Sequence, residues 1–335
     1  MSDRIDAWTH IFPKAYFARL QTMASAAGPL RRWLELKPLY DLDHRFRLMD
    51  GFAGYRQLLT PSMPPIEDLA DGTLAVDLMR LMNDGLAELV TLHPDRFPAF
   101  AAALSLHDVE AAIAEIGRAE RMGAAGFQLC THVRGLPLDH PRFAPVFDEI
   151  ARRGLAIWLH PVRGPTPDYP SETKSRYEIW WCFGWPYDSS VAMSRLVFSG
   201  LFDRHPDLKI ITHHMGAMIP YFAGRIEQGW GLEMGSRTPP ADADLLPGPL
   251  QRPAEEYFRM FFADTALSGA VGATRCGLDY FGADKVVFAS DFPFDAEGGS
   301  YLVRETIKAL DALELSQAVR HQIDIGNISK LIHRR

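Results

Sequence analysis

Cysteine is scarce in this chain: Cys130, Cys182 and Cys276 are odd in number and lie far apart. That pattern excludes a zinc-finger cluster and leads us to expect free thiols in a reducing compartment. Basic runs are absent and the formal net charge is -7, so the electrostatic footprint of a nucleic-acid-binding protein is missing. No window reaches the roughly 18–20 apolar residues of a membrane span. The opening Met1-Ser-Asp-Arg-Ile-Asp has no basic segment followed by an apolar stretch. No secretory signal is therefore expected, and the expected location is cytoplasmic. No Gly-x-Gly-x-x-Gly follows a strand-like run, which leaves a nucleotide cofactor unsupported. No Gly-x-Ser-x-Gly elbow occurs either. Lysine is limited to positions 14, 37, 174, 209, 285, 308 and 330, and none of them closes an apolar run.

What is present is an ordinary globular composition. Of 335 residues, 47% are hydrophobic and 23% charged, enough for a sizeable core in a single domain spanning 1–335. Eight short runs rich in Val, Ile, Phe, Leu or Ala cover 4–10, 54–60, 98–105, 125–131, 155–160, 208–214, 259–265 and 285–291. Several are almost continuously apolar, as strands covered on both faces are. Helical segments separate most of them. Over 108–122, Asp108 suits an N-cap and apolar residues recur at 109, 113 and 116; over 141–153, Pro141 opens the first turn and Gly154 stands past the end. His93 and His205 each sit just before a Pro that feeds the next run, and read as helix-end residues. Strand alternating with helix eight times predicts a (β/α)8 TIM barrel, with insertions after strand 1 (11–53) and strand 5 (161–189). Long βα connections lie on the catalytic face of such a barrel, where both insertions can shape a pocket or lid.

Four residues stand at the ends of these runs: His10, His160, His214 and Asp291. In a closed parallel barrel the C-terminal strand ends meet on one face. Three imidazoles and a carboxylate brought together there suit one divalent ion, with an open position for water or substrate. Barrel sites that hold two ions usually bridge them with a carboxylated Lys at the end of strand 4, and strand 4 here ends Phe127-Gln-Leu-Cys-Thr-His132. His213 and His214 are neighbours, so on a strand only one of them faces the pocket. Asp264 closes another run and either orients His214 from behind or caps a helix. Arg163, three residues past His160, is a candidate partner for a substrate carboxylate or a solvated loop residue. Trp8, Trp180, Trp181 and Trp185 are candidates to pack a substrate, although tryptophans of this kind also fill cores.

At these residues the chain resembles the amidohydrolase-related branch of the metal-dependent hydrolase superfamily. It is most like the decarboxylases of aminocarboxymuconate semialdehyde, γ-resorcylate and 5-carboxyvanillate. Ile5-Asp-Ala-Trp-Thr-His-Ile-Phe-Pro13 is similar to the family's opening Ile-Asp-x-His-x-His-x-x-Pro. Leu159-His-Pro161 is similar to its strand-5 ligand motif, and Ala125-Gly-Phe-Gln-Leu-Cys-Thr-His132 to its strand 4. His214-Met-Gly-Ala-Met-Ile-Pro220 followed by Gly224-Arg-Ile226 resembles His-x-Gly-Gly-x-x-Pro…Gly-Arg-Ile, a register that selects His214 over His213. Ala289-Ser-Asp-Phe-Pro-Phe294 resembles Gly-Ser-Asp-Tyr-Pro-Phe, and Gly326-Asn327 matches the family's C-terminal Gly-Asn.

The resemblance implies a TIM barrel with one divalent metal, zinc being expected. His10, His160 and Asp291 would be ligands, and His214 a ligand or a catalytic acid/base. Asp291 would also move a proton. It further implies nonoxidative decarboxylation of a small unsaturated or aromatic acid, and a homodimer. Two other functions remain open: a metal-dependent hydrolase of a small ester, lactone or amide, and a non-catalytic binding protein on a degenerate barrel. The departure from the pattern is Trp8, which stands where the family has its first His. An indole N–H donates and has no lone pair for a metal. Three arrangements follow: three protein ligands completed by His214 or water, a weakly held metal, or a metal-free site with Trp8 as an aromatic wall.

Overall fold

The computed structural model describes residues 3–23, 31–233 and 250–332. Eight strands carry the architecture: β1 (Arg4–Ile11), β2 (Tyr55–Pro61), β3 (Ala101–Ala103), β4 (Gly126–Cys130), β5 (Ala156–His160), β6 (Lys209–Thr212), β7 (Phe262–Asp264) and β8 (Val286–Val287). All neighbouring pairs are parallel, and the ladder runs unbroken from β3 through β4, β5, β6 and β7 to β8. β1 pairs with β2, and two single bridges close the ring: Leu59 to Phe100 joins β2 to β3, and Thr9 to Phe292 joins β1 to the segment after β8. Ala7 N–H donating to the Phe288 carbonyl (2.8 Å) and His10 N–H to the Phe292 carbonyl (2.8 Å) reinforce that seam. The result is the expected closed (β/α)8 barrel.

The period of two along each strand sorts the core into an inside and an outside. Ile157 and Leu159 of β5 face the surrounding helices, while Ala156 and Trp158 face the barrel interior. Alanines at 7, 99, 101, 125 and 156 leave room there for one large side chain. Trp158 fills it and donates its indole N–H across to the Ala7 carbonyl of β1 at 2.9 Å. Gly126 of β4 is required by the same packing, because a Cβ there would meet the Ala156 carbonyl oxygen at 2.1 Å and the Trp158 ring at 2.6 Å.

The expected helices form where capping dictates. Asp108 accepts from Ala111 N–H (2.9 Å) and opens Val109–Arg121. Over 141–153 a short 3-10 turn, Pro141–Phe143, precedes the helix Ala144–Arg152, and Gly154 follows with φ of +65°. His93 and His205 stand at the C-terminal ends of Gly72–Leu92 and Leu201–Arg204, as helix-end residues. The insertion after β1 contributes Lys14–Met23, Arg31–Leu34 and Leu42–Asp50. The insertion after β5 is irregular until Ile179–Cys182, and Trp185 already belongs to the helix Gly184–Phe198. No helix among the described residues is long and apolar enough to cross a membrane.

Candidate active site

Four strands deliver their site residues by one rule. Each functional side chain lies two positions beyond a residue that faces the barrel interior: Trp158 precedes His160, Ile211 precedes His213, Phe262 precedes Asp264, and Ala289 precedes Asp291. Alternation carries His160, His213 and Asp264 into the mouth of the barrel, and Asp291, past the end of β8 with φ of +66°, reaches it from a turn. The regular strands stop earlier than the apolar runs suggested. β6 ends at Thr212 and β8 at Val287.

This corrects the reading of the His213–His214 pair. His213 has extended backbone (φ −75°, ψ 155°), continues the alternation of Ile211, and is the imidazole buried in the barrel. His214 then turns into the left-handed region (φ +55°), which folds it back over the mouth. Past the strand end the opposite-faces rule no longer holds. Both rings reach the site, stacked with centroids 3.8 Å apart. Asp264 accordingly supports His213 and not His214: its Oδ2 accepts from Nδ1 of His213, and its Oδ1 accepts from Met215 N–H (3.2 Å) and Ala266 N–H (3.0 Å).

Three imidazoles are oriented alike. Nδ1 of His10 faces the Pro61 carbonyl at 2.8 Å, Nδ1 of His160 faces the Pro161 carbonyl at 2.6 Å, and Nδ1 of His213 faces Asp264. A carbonyl only accepts, so Nδ1 of His10 and His160 carries the proton; facing a carboxylate, so does that of His213. The lone pair of each neutral ring is then on Nε2. The metal-competent nitrogens of His10, His160 and His213 lie within 4.8 Å of one another, as do ligand atoms of His213, His214 and Asp291. Nε2 of His10 is buried without a hydrogen-bond partner. Asp291 Oδ1 lies 3.3 Å from Nε2 of both His10 and His213, and its Oδ2 lies 3.6 Å from Nε2 of His214.

The electrostatics follow from this crowding. Burial alone would raise the Asp291 carboxyl, but the imidazoles of His10, His213 and His214 around it hold it well below the usual range. Burial, with His10 and His213 nearby, holds His160 neutral. Burial also lowers His213, but the Asp264 and Asp291 carboxylates outweigh it and push that ring up to about 9. His214 is lowered by burial and by His213.

The tryptophans divide. Trp8 has 0% exposure and lies under the His213 ring, stacked at 4.1 Å and 15°, so it is part of the site's floor and not an open substrate wall. Its position between β1 and the His213 ring leaves it no solvent face. Trp180 is half-buried and Trp181 is 43% exposed, both at edge contact with Trp185, whose ring meets His160 at 5.6 Å. Trp185, Met63 and Val162 form an apolar cluster against which Trp33, Cys130 and Trp180 pack. Arg163 is engaged by Asp188 at 3.1 Å and gives its carbonyl to the Trp185 indole N–H at 3.1 Å, so it braces this rim. Sequence reasoning set His213 aside in favour of His214 and gave Phe294 no role of its own. The Phe294 ring lies 5.1 Å from His10 and 5.2 Å from Trp33. The interior residue two positions before His213 was the signal that could have found it.

Nitrogen and oxygen donors at this spacing, with each Nδ1 anchored and each Nε2 turned inward, fit a divalent cation. Comparison with known proteins agrees. The amidohydrolase family model matches residues 5–334. A γ-resorcylate decarboxylase from Rhodococcus jostii (strain RHA1) is 32% identical over 94% of this chain and 96% of its own length. The 2,6-dihydroxybenzoate decarboxylase structure from Rhizobium superposes with a TM-score of 0.78 at 26% identity, covering 99% of each chain. A dihydroxybenzoic acid decarboxylase from Polaromonas sp. JS666, solved with manganese and the inhibitor 2-nitroresorcinol, gives a TM-score of 0.79 at 26% identity, covering 99% of this chain and 97% of that one. With its barrel, its strand-end residues and these relatives in agreement, the chain belongs to the amidohydrolase family.

Proposed function

We propose that this protein is a metal-dependent, nonoxidative decarboxylase of a small hydroxylated aromatic acid. The observation that carries the reading is the convergence of three inward Nε2 atoms and Asp291 beneath an apolar rim of Trp33, Met63, Val162 and Trp185. Such a rim accepts a flat ring, and the polar floor receives its carboxylate. The named relatives, decarboxylases of aromatic acids, support the same class.

His10, His160 and Asp291 would hold the ion. Bound there, a divalent cation would bind the substrate carboxylate or a neighbouring hydroxyl and stabilise the charge that develops on it. Imidazoles suit zinc and carboxylates suit manganese, so this donor set admits either ion. The chain's own groups must deliver one proton to the ring carbon as CO2 leaves. Asp291 rests ionised, so it carries a proton only when a neighbour supplies one. His214 is placed to relay one after taking it up from solvent: its Nε2 is 3.6 Å from Asp291 Oδ2, and its side chain is partly open to solvent at the mouth. Trp185 and Phe294 flank His160 and His10 and keep water from the buried side of the ring.

The test is a panel of hydroxybenzoates and muconate-like acids, followed by ultraviolet change and product chromatography with zinc- and manganese-loaded protein. Loss of the carboxylate from at least one ortho-hydroxybenzoate is expected. No turnover on the panel, with hydrolysis of esters, lactones or amides instead, would overturn the assignment.

A further inference from the structure

The strand-1 motif supplies one imidazole, His10, where the family pattern has two, because Trp8 holds the other position. We infer that His213 provides the missing ligand, so that the metal is held by His10, His160 and His213 together with Asp291. The inference rests on the metal-dependent reading above and deepens it.

Four observations carry it. First, one ring nitrogen from each of His10, His160 and His213 lies within 4.8 Å of the other two. Ligand atoms about 2.1 Å from one tetrahedral ion lie about 3.4 Å apart, so binding would draw the three rings together by about 1 Å. Second, His213 has the orientation of a ligand. Its Nδ1–H is held by Asp264, a carboxylate fixed in turn by Met215 N–H and Ala266 N–H, and Nε2 is turned to the centre. A carboxylate behind an imidazole is the usual support of a metal-bound histidine. Third, Trp8 positions that ring. Its indole is fully buried and stacks on His213 at 4.1 Å and 15°, so the side chain that displaced one imidazole forms the platform for another. Fourth, His213 reaches the barrel interior by the same two-residue step that places His160. His214, folded over the mouth by its positive φ, is left free for proton transfer.

The test is metal content after loading with Mn(II) or Zn(II) and desalting, by elemental analysis on folded protein checked by circular dichroism. Wild type is expected to retain about one ion per chain, as is His214→Ala. His213→Ala is expected to retain less than about one-tenth, in line with the 10–100-fold or larger affinity loss when ligand support is removed. Trp8→His in the His213→Ala background is expected to regain the ion. Because His213→Ala can fail to fold, X-ray absorption at the metal edge of wild-type protein gives a second reading: three coordinated imidazoles are expected. Full retention by folded His213→Ala, no regain in folded Trp8→His/His213→Ala, or two imidazoles in the wild type would each overturn the assignment of His213 while leaving the metal-dependent reading intact. Wild type that takes up neither ion would fell both.

Discussion

Each of His10, His160 and His213 presents Nε2 to the barrel centre because its Nδ1–H is bound to an oxygen outside it. For His10 and His160 that oxygen is a backbone carbonyl, which mutation cannot easily remove. For His213 it is the side chain of Asp264, which makes this the adjustable anchor. Asp264→Asn keeps an acceptor oxygen but removes the charge, and metal affinity is expected to fall by about 10–100-fold. A chelator-competition titration measures it; unchanged affinity would mean that Asp264 has no hold on the ion. His214→Gln should behave differently. It keeps the metal but lowers kcat by about 10²–10⁴-fold, the usual range for a lost acid/base, and kcat close to that of wild type would remove His214 from the proton path.

At the scale of elements, the strands of the barrel were legible because a strand buried on both faces is a short, nearly continuous apolar run. Their ends were less so. The runs 208–214 and 285–291 extend past β6 and β8, since past Thr212 and Val287 only single hydrogen bonds such as His213 N–H to the Leu159 carbonyl (3.3 Å) and Ala7 N–H to the Phe288 carbonyl (2.8 Å) continue the pairing. His10, His160 and Asp291 could therefore be read from position alone. The motif register points to His214 and says nothing of His213, whose burial is marked by Ile211 on the interior face of β6. The burial of Trp8 was hidden for another reason, because it depends on a stacking partner more than two hundred positions away in the chain. The tight packing of β4 against β5 gives a prediction at this scale. Gly126→Ala would force a Cβ into the Ala156 carbonyl and the Trp158 ring. Overpacking of this kind costs about 1–3 kcal/mol, and thermal unfolding should show a Tm several degrees lower. An unchanged Tm would mean that the Trp158 layer is looser than described.

Across the whole molecule, the barrel's polar interior sets a pH dependence. Asp6 is fully buried beneath the site, where it accepts from Trp8 N–H (3.2 Å), Ser290 N–H (3.1 Å), the Tyr55 hydroxyl (2.6 Å) and the Ser290 hydroxyl. Burial pushes its carboxyl up to about 6 in spite of these donors. The folded state thus holds the proton more tightly than the unfolded chain, whose aspartates titrate near about 3.9. The stability this adds is present below about pH 4 and is lost as pH rises through about 6, an effect of order 2–3 kcal/mol. The unfolding free energies of wild type and Asp6→Asn from denaturant titrations between pH 4 and 7 should diverge by that amount, wild type falling relative to the variant. Parallel curves would show that the four donors cancel the burial. The fold, the family and the converging ligands lead to one claim, that a divalent ion in this barrel serves decarboxylation. It is tested most directly by measuring CO2 release from the hydroxybenzoate panel with metal-loaded, chelator-stripped and reloaded protein. The account predicts release that disappears on stripping and returns with Mn(II) or Zn(II); release at full rate from metal-free protein would contradict it.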